Sequence, residues 1–335
     1  MASTLNGFPV TLDDVTSARD RILRHLHYTP VLTSSTFDSK YGRKFYFKAE
    51  NFQKTGSFKS RGALNAVTKL VEEKQERVVG VTTHSSGNHG QALAWAAQHC
   101  GLPCNVIVPR NTPTVKIDAI KGYGADVTLC EPNPTSRAET CAAICSEKNY
   151  VYIPSADHYD VMAGQGTIAL EFLEQVPMLD AILVAASAGG MVSGIACAAK
   201  QLKPEIKIFV VEPFGKDLER CLREGKRLWP EPPQYVDTIA EGIRIQQLGK
   251  LAFPIVLSLA EKEVFTTTNA QIVEGMRFAF ERMKVVIEGA SGAVIAAAMS
   301  KRLRRMDGRL RHVGVILCGG NVDIDHIPWL PTREA

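Results

Sequence analysis

Short apolar runs separated by longer stretches of helical period set the pattern of this chain. Strands are expected at 44–48, 77–82, 105–108, 126–129, 181–186, 207–211 and 312–317. Several of these runs are near-continuously apolar, the mark of strands covered on both faces of a parallel sheet. The intervening periodicity predicts helices at 57–71, 88–100, 114–122, 137–148, 166–175, 190–202 and 271–284. Such alternation points to an open α/β architecture. Segment 77–153 holds its own strand–helix–strand–helix set and is expected to form a small domain. Residues 1–76 and 154–335 would make a larger one around it.

A length of 335 residues suits two units sharing a site, since single cores rarely grow beyond ~250–300 residues. Hydrophobic residues at 45% and charged residues at 22% are ordinary for a soluble globular protein, and a net charge of +4 without basic runs argues against a nucleic-acid partner. No stretch of ~18 uninterrupted apolar residues is present, so no membrane span is expected. The first fifteen residues lack the pattern of a secretory leader. Eight cysteines without CxxC spacing read as free thiols in a reducing compartment, which places the protein in the cytoplasm.

Four loops carry candidate chemistry. Ser57-Phe58-Lys59-Ser60-Arg61-Gly62 puts a lysine at a helix start, where the helix dipole disfavours its charge and favours the neutral amine of Schiff-base chemistry. A surface lysine is the plainer alternative. Ser85-Ser86-Gly87-Asn88-His89 lies between a strand and a helix, where backbone N–H groups would face an anion such as an amino-acid carboxylate. Either serine would equally serve as a helix cap. Ser187-Ala188-Gly189-Gly190-Met191 looks like a phosphate cradle, yet has neither GxGxxG spacing nor a GK[ST] ending. Cys318-Gly319-Gly320-Asn321 ends the last strand and reads otherwise as a tight turn. Three strand-end loops and one lysine together match the needs of pyridoxal 5′-phosphate (PLP), whose protein host supplies anchoring and proton transfer.

The order of these motifs resembles the serine racemase and serine/threonine dehydratase family of fold-type II PLP enzymes. The likeness runs from Tyr28 to Asp323 and is densest at 53–65, 83–93, 163–170 and 281–288. It implies a tryptophan synthase β-like fold, two open twisted α/β domains with the cofactor between them. By the same resemblance Lys59 carries the cofactor and acts as base on one substrate face, with Ser86 as acid/base on the other. Phe58 would lie against the ring, Asn88 would bind its 3′ oxygen, and Ser187 to Met191 its phosphate. Cys318 would sit beside the pyridine nitrogen, where a neutral thiol cannot stabilise a protonated ring. Ser85, Ser86, Gly87, Asn88, His89, Arg137 and Ser155 would bind substrate. The family's inter-subunit ATP site maps to Ser34, Ser35, Lys54, Thr55, Tyr123, Lys284 and Asn321, implying a homodimer. An activating Mg2+, Mn2+ or Ca2+ would begin at Glu212.

Departures from the family pattern bear on each expectation. The phosphate loop opens Ser187-Ala188 where the family has Gly-Gly; alanine at a position needing positive φ would cost ~1 kcal/mol or more. An ungapped reading puts Lys216 and Leu218 at the next metal positions, whereas a one-residue shift brings in Asp217. Ser155 replaces a familiar Asn, Ile245 replaces a Ser, and 154–166 is more similar to the dehydratases, with Asp157, His158 and Asp160. The activity implied is serine racemisation with dehydration to pyruvate and ammonia. The alternatives are an L-serine, L-threonine or 3-hydroxyaspartate dehydratase, an aspartate racemase, and a silent PLP-binding homologue.

Overall fold

A computed structural model describes residues 8–74 and 77–329. The N-terminal reading over residues 1–7 and the expected boundary residue 76 lie outside them. Ten strands occur among the described residues: β1 (Val31–Leu32), β2 (Lys44–Ala49), β3 (Val81–His84), β4 (Cys104–Pro109), β5 (Asp126–Cys130), β6 (Val151–Tyr152), β7 (Ala181–Ala185), β8 (Lys207–Pro213), β9 (Phe265–Thr267) and β10 (His312–Leu317). They form two sheets, ordered β1-β2-β10-β7-β8-β9 and β5-β4-β3-β6. Every pairing is parallel except β1 with β2. This is the α/β, fold-type II arrangement expected. All of β4 and β7 is buried, which accounts for their unbroken apolar sequence.

Pairing, not apolarity, sets where strands begin. The run at 77–82 becomes strand only from Val81, which faces Cys104 on β4 and Val151 on β6. Before it, Val79 points to solvent and Gly80 packs so close to the Tyr150 ring that a Cβ would lie 2.5 Å from it. The helix expected from 166 starts at Tyr159, and that expected over 271–284 is α-helical only to Phe278 before a π turn at Ala279–Met283. Helix Gly289–Met299 was invisible to periodicity because it is apolar on every face; it lies against β7, β8 and β10, buried throughout from Gly289 to Ala298.

Each sheet has its own apolar core. Helix Lys59–Lys74 joins them: Phe58, just before it, belongs to the core of the six-stranded sheet, whereas Ala63, Leu64, Ala66 and Val67 belong to that of the four-stranded one. Lys59 therefore stands at the seam. All eight cysteines are free, and Cys130 and Cys141 pack with Ile107 and Ile144 as a small apolar cluster. No helix among the described residues is long and apolar enough to cross a membrane.

Candidate active site

The segment before Lys59 is stitched to the end of β10. Phe58 N–H donates to the Cys318 carbonyl at 3.0 Å, Gly320 N–H donates to the Gly56 carbonyl at 2.9 Å, and Ser57 bridges Gly319. Lys59 then opens its helix, with Nζ donating to the Ser155 carbonyl and lying 5.1 Å from the Phe58 ring centroid. Burial lowers its pKa to about 8, partly opposed by Glu288 nearby. The surface-lysine alternative is thereby removed.

Behind it, Cys318 Sγ lies 3.4 Å from Ser291 Oγ and 3.9 Å from Glu288 Oε1. Burial raises the thiol, so it stays protonated and neutral at physiological pH. Glu288 was not singled out from sequence, although it is the lone acid between an apolar residue and the Gly-Ala-Ser-Gly start of a buried helix. Burial raises it to about 7, against the two hydrogen bonds it accepts from Asn88 Nδ2 at 3.0 and 2.9 Å. Asn321 Nδ2 donates to Asn88 Oδ1 at 2.8 Å, closing a chain from β3 to β10.

The loop after β3 leaves donors free. Gly87 is the helix N-cap and offers no side chain; the N–H groups of Asn88 and His89 have no acceptor among the described residues. Ser85 Oγ accepts only from Gly87 N–H, at 3.4 Å, and half-buried Ser86 has no hydrogen-bond partner among the described residues. Neither serine caps the helix. The His89 ring is buried against the Ile153 carbonyl at 3.0 Å and is lowered to about 3 by burial and by Lys59. It is neutral, so what His89 can offer an anion is its backbone.

The loop after β7 answers the question of Ala188. The left-handed residue is Gly189, at φ 95°, and Ala188 is not among the positive-φ positions, so the expected strain is absent. A Cβ on Gly189 would lie 2.8 Å from that of Ala252, and one on Gly190 2.6 Å from the Ala156 carbonyl. The N–H groups of Gly190 and Met191, at the start of helix Gly190–Leu202, have no acceptor among the described residues. That cradle fits a phosphate. Ser155-Ala156 joins it to Lys59, one residue meeting the lysine and the next the glycine. The donor set as a whole fits PLP.

Arg137, from helix Pro134–Lys148, donates to the Tyr235 hydroxyl at 2.8 Å, and Arg244 lies over that ring at 4.6 Å. Asp157 accepts from the N–H groups of Leu251 (3.1 Å) and Ala252 (3.0 Å), holding the helix that backs Gly189. Several residues of the expected nucleotide site already have partners within the chain. Asn321 donates to the Thr55 carbonyl at 2.8 Å, whereas Ser34 caps helix Ser35–Tyr41, Lys284 folds onto the Glu281 carbonyl, and Tyr123 packs on the other core.

The residues expected to hold a metal are otherwise engaged. Both Glu212 oxygens are engaged, Oε1 by the Thr266 hydroxyl at 3.1 Å and Oε2 by Leu218 N–H at 3.2 Å. Asp217 is exposed, and Leu218 is buried and apolar. Lys216 points inward with its ammonium among carbonyls. No group of three His, Cys, Asp or Glu able to hold a metal exists among the described residues. The residues present do not fit a divalent ion.

Comparison with known proteins agrees with this geometry. The model of the family described as pyridoxal-phosphate dependent enzyme matches residues 22–319. Serine racemase of Dictyostelium discoideum is 42% identical over 319 residues, 95% of this chain and 97% of that one. L-threo-3-hydroxyaspartate ammonia-lyase of Saccharomyces cerevisiae is 40% identical over 94% of both. A solved structure of a pyridoxal 5′-phosphate-dependent aspartate racemase is 58% identical, with a TM-score of 0.94 over 96% of this chain and 99% of that one.

Proposed function

The chain belongs to the pyridoxal-phosphate dependent enzyme family, and from that premise we propose that it racemises serine and also dehydrates it to pyruvate and ammonia. The observation that carries this reading is the pairing of a lowered lysine, Lys59, with a free hydroxyl, Ser86, on two loops tied through Asn88, Asn321 and Thr55. PLP, when bound, supplies an electron sink for the pair left at the substrate α-carbon. Lys59 would hold it, with Phe58 along the ring, Asn88 at the 3′ oxygen, Cys318 at the ring nitrogen and 187–191 around the phosphate.

The neutral Lys59 amine takes the α-proton of L-serine. The Ser86 hydroxyl returns a proton from the other face, and the roles reverse for D-serine. The free N–H groups of Asn88 and His89 orient the substrate carboxylate, with Ser85 and Gly87 shaping that loop and Arg137 and Ser155 beyond it. The dehydratase exit loses the β-hydroxyl as water, and hydrolysis of the remaining enamine releases pyruvate and ammonia.

Ser86→Ala is the direct test. It should abolish L-to-D conversion and leave D-serine inert, while pyruvate from L-serine persists. Because Ser86 caps nothing, stability should change by less than about 0.5 kcal/mol. Unchanged racemisation would sink the two-base reading.

A second reading, aspartate racemisation on the same groups, is favoured by the 58% identity to an aspartate racemase and by the two guanidinium groups meeting at Tyr235. Incubating the enzyme with L-serine and L-aspartate in parallel, and measuring enantiomers and keto acids, separates the two.

The same proposal includes a cytoplasmic homodimer of chains divided at 77–153, with ATP bound between subunits near Thr55 and Asn321. Light scattering reads the oligomer, and an ATP titration of rate and melting temperature reads the nucleotide.

A further inference from the structure

We propose that the Lys216 side chain is a built-in cation, occupying the role of a bound metal ion and making the cofactor-phosphate loop of this chain independent of divalent metal. Lys216 is fully buried, and its Nζ donates to three carbonyls: Ala186 at 2.9 Å, Ser187 at 3.0 Å, and Ile245. An ammonium has three N–H donors and finds three acceptors here. A neutral amine would leave one carbonyl facing a lone pair. These are oxygen ligands of the kind that a hard cation gathers.

The three carbonyls come from separate stretches. Ala186 and Ser187 follow β7 and open the phosphate loop; Ile245 belongs to the 235–249 segment. Two further bonds follow the same seam, Gly249 N–H to the Ala188 carbonyl at 2.9 Å and Gln246 Nε2 to the Gly215 carbonyl at 3.2 Å. Trp229 Nε1 holds the Lys216 carbonyl from outside. Lys216 thus clamps the loop that presents the Gly190 and Met191 N–H groups to loops on either side, without itself touching the anion they face. It is a positioning residue.

The neighbouring carboxylate agrees. Glu212 uses both oxygens on protein donors, and Leu218 fills the next position with apolar surface. A divalent ion entering here would have to expel the ammonium and break both Glu212 contacts.

The test is cofactor affinity and melting temperature, measured on wild type and Lys216→Met with EDTA, and with millimolar Mg2+, Mn2+ or Ca2+. Wild type should show the same melting temperature and the same PLP dissociation constant in every condition. Lys216→Met, of similar length but uncharged, should bind PLP about tenfold more weakly or worse, because charge-assisted hydrogen bonds under the loop are gone. Loss of wild-type affinity or thermal stability in EDTA, restored by any of the three ions, overturns the proposal. So does a Lys216→Met protein that binds PLP as tightly as wild type. Should Lys216→Met fail to fold, the wild-type arms decide alone.

Discussion

Two sets of buried ionisable groups flank the start of helix Lys59–Lys74, and burial acts on them to opposite effect. Beneath the helix, Arg61 makes paired contacts to Glu50 (2.7 and 2.8 Å) and Glu171 (2.7 and 2.9 Å), and Lys48 joins Glu171 at 2.7 Å. Burial would lower Arg61, but its two carboxylates outweigh that and raise it. Burial would raise Glu171, but Arg61 and Lys48 hold it below its ordinary value. Two residues earlier, Lys59 has a carbonyl for a partner and is lowered; Glu288 has an amide and a thiol and is raised. The difference is pairing. Matched charges are locked and serve the fold, whereas buried groups without an opposite charge in contact titrate near neutrality, where proton transfer is available. Lys48 sits between the cases, since burial lowers it in spite of its acids.

Breaking the contrast at its catalytic end should give the largest effect. Lys59→Ala should reduce racemisation and pyruvate release by about 10⁴-fold or more, and abolish borohydride trapping of the cofactor on that peptide. Apoprotein stability should change by less than about 1 kcal/mol, because no ion pair is lost. A large drop in stability would place Lys59 with the structural set. At the other end, Arg61→Met should cost about 3–5 kcal/mol, since Glu50 and Glu171 are left buried without their cation. Denaturant titration measures it, and a mild loss would mean the network is dispensable.

Two pH measurements sharpen the comparison. Glu288 is raised from 4.5 to about 7, so its contribution to stability is fully present below pH 4.5 and is lost as pH rises through 7. Glu288→Gln, which keeps an acceptor for Asn88, should match wild-type apoprotein near pH 5. At pH 8 it should be more stable by up to about 3 kcal/mol. A pH-independent difference would refute the raised carboxyl. The smallest effect concerns Lys59 before it holds cofactor: the rate of PLP capture by apoprotein should rise through about pH 8, not toward the ordinary 10.5. Stopped-flow absorbance at a series of pH values reads the midpoint.

How legible each part was depended on whether its signal is local. Lys59, the Gly189-Gly190 cradle and the end of β10 announce themselves by residue type next to strand ends, and the fold brings them together through Ser155-Ala156 and Cys318. Ala188 was read as a source of strain because spacing does not reveal which residue of a loop takes positive φ; only the backbone puts that on Gly189. Glu288 and Lys216 went unassigned for a different reason. Their meaning lies in partners 200 and about 30 residues away in sequence, Asn88 for one and Ala186, Ser187 and Ile245 for the other.

The sequence by itself determined the strand–helix alternation, the parallel character of the sheets and the loops where chemistry would sit, because apolar period and loop glycines are local physics. The tertiary structure decided what those loops contain. It set a half-buried lysine without a counter-ion in contact at the seam of two cores and left a serine hydroxyl and four N–H groups without partners among the described residues. In the space where a metal was expected it turned a second lysine onto three carbonyls. Burial and long-range pairing set these outcomes, and neither is a property of any stretch of chain taken alone.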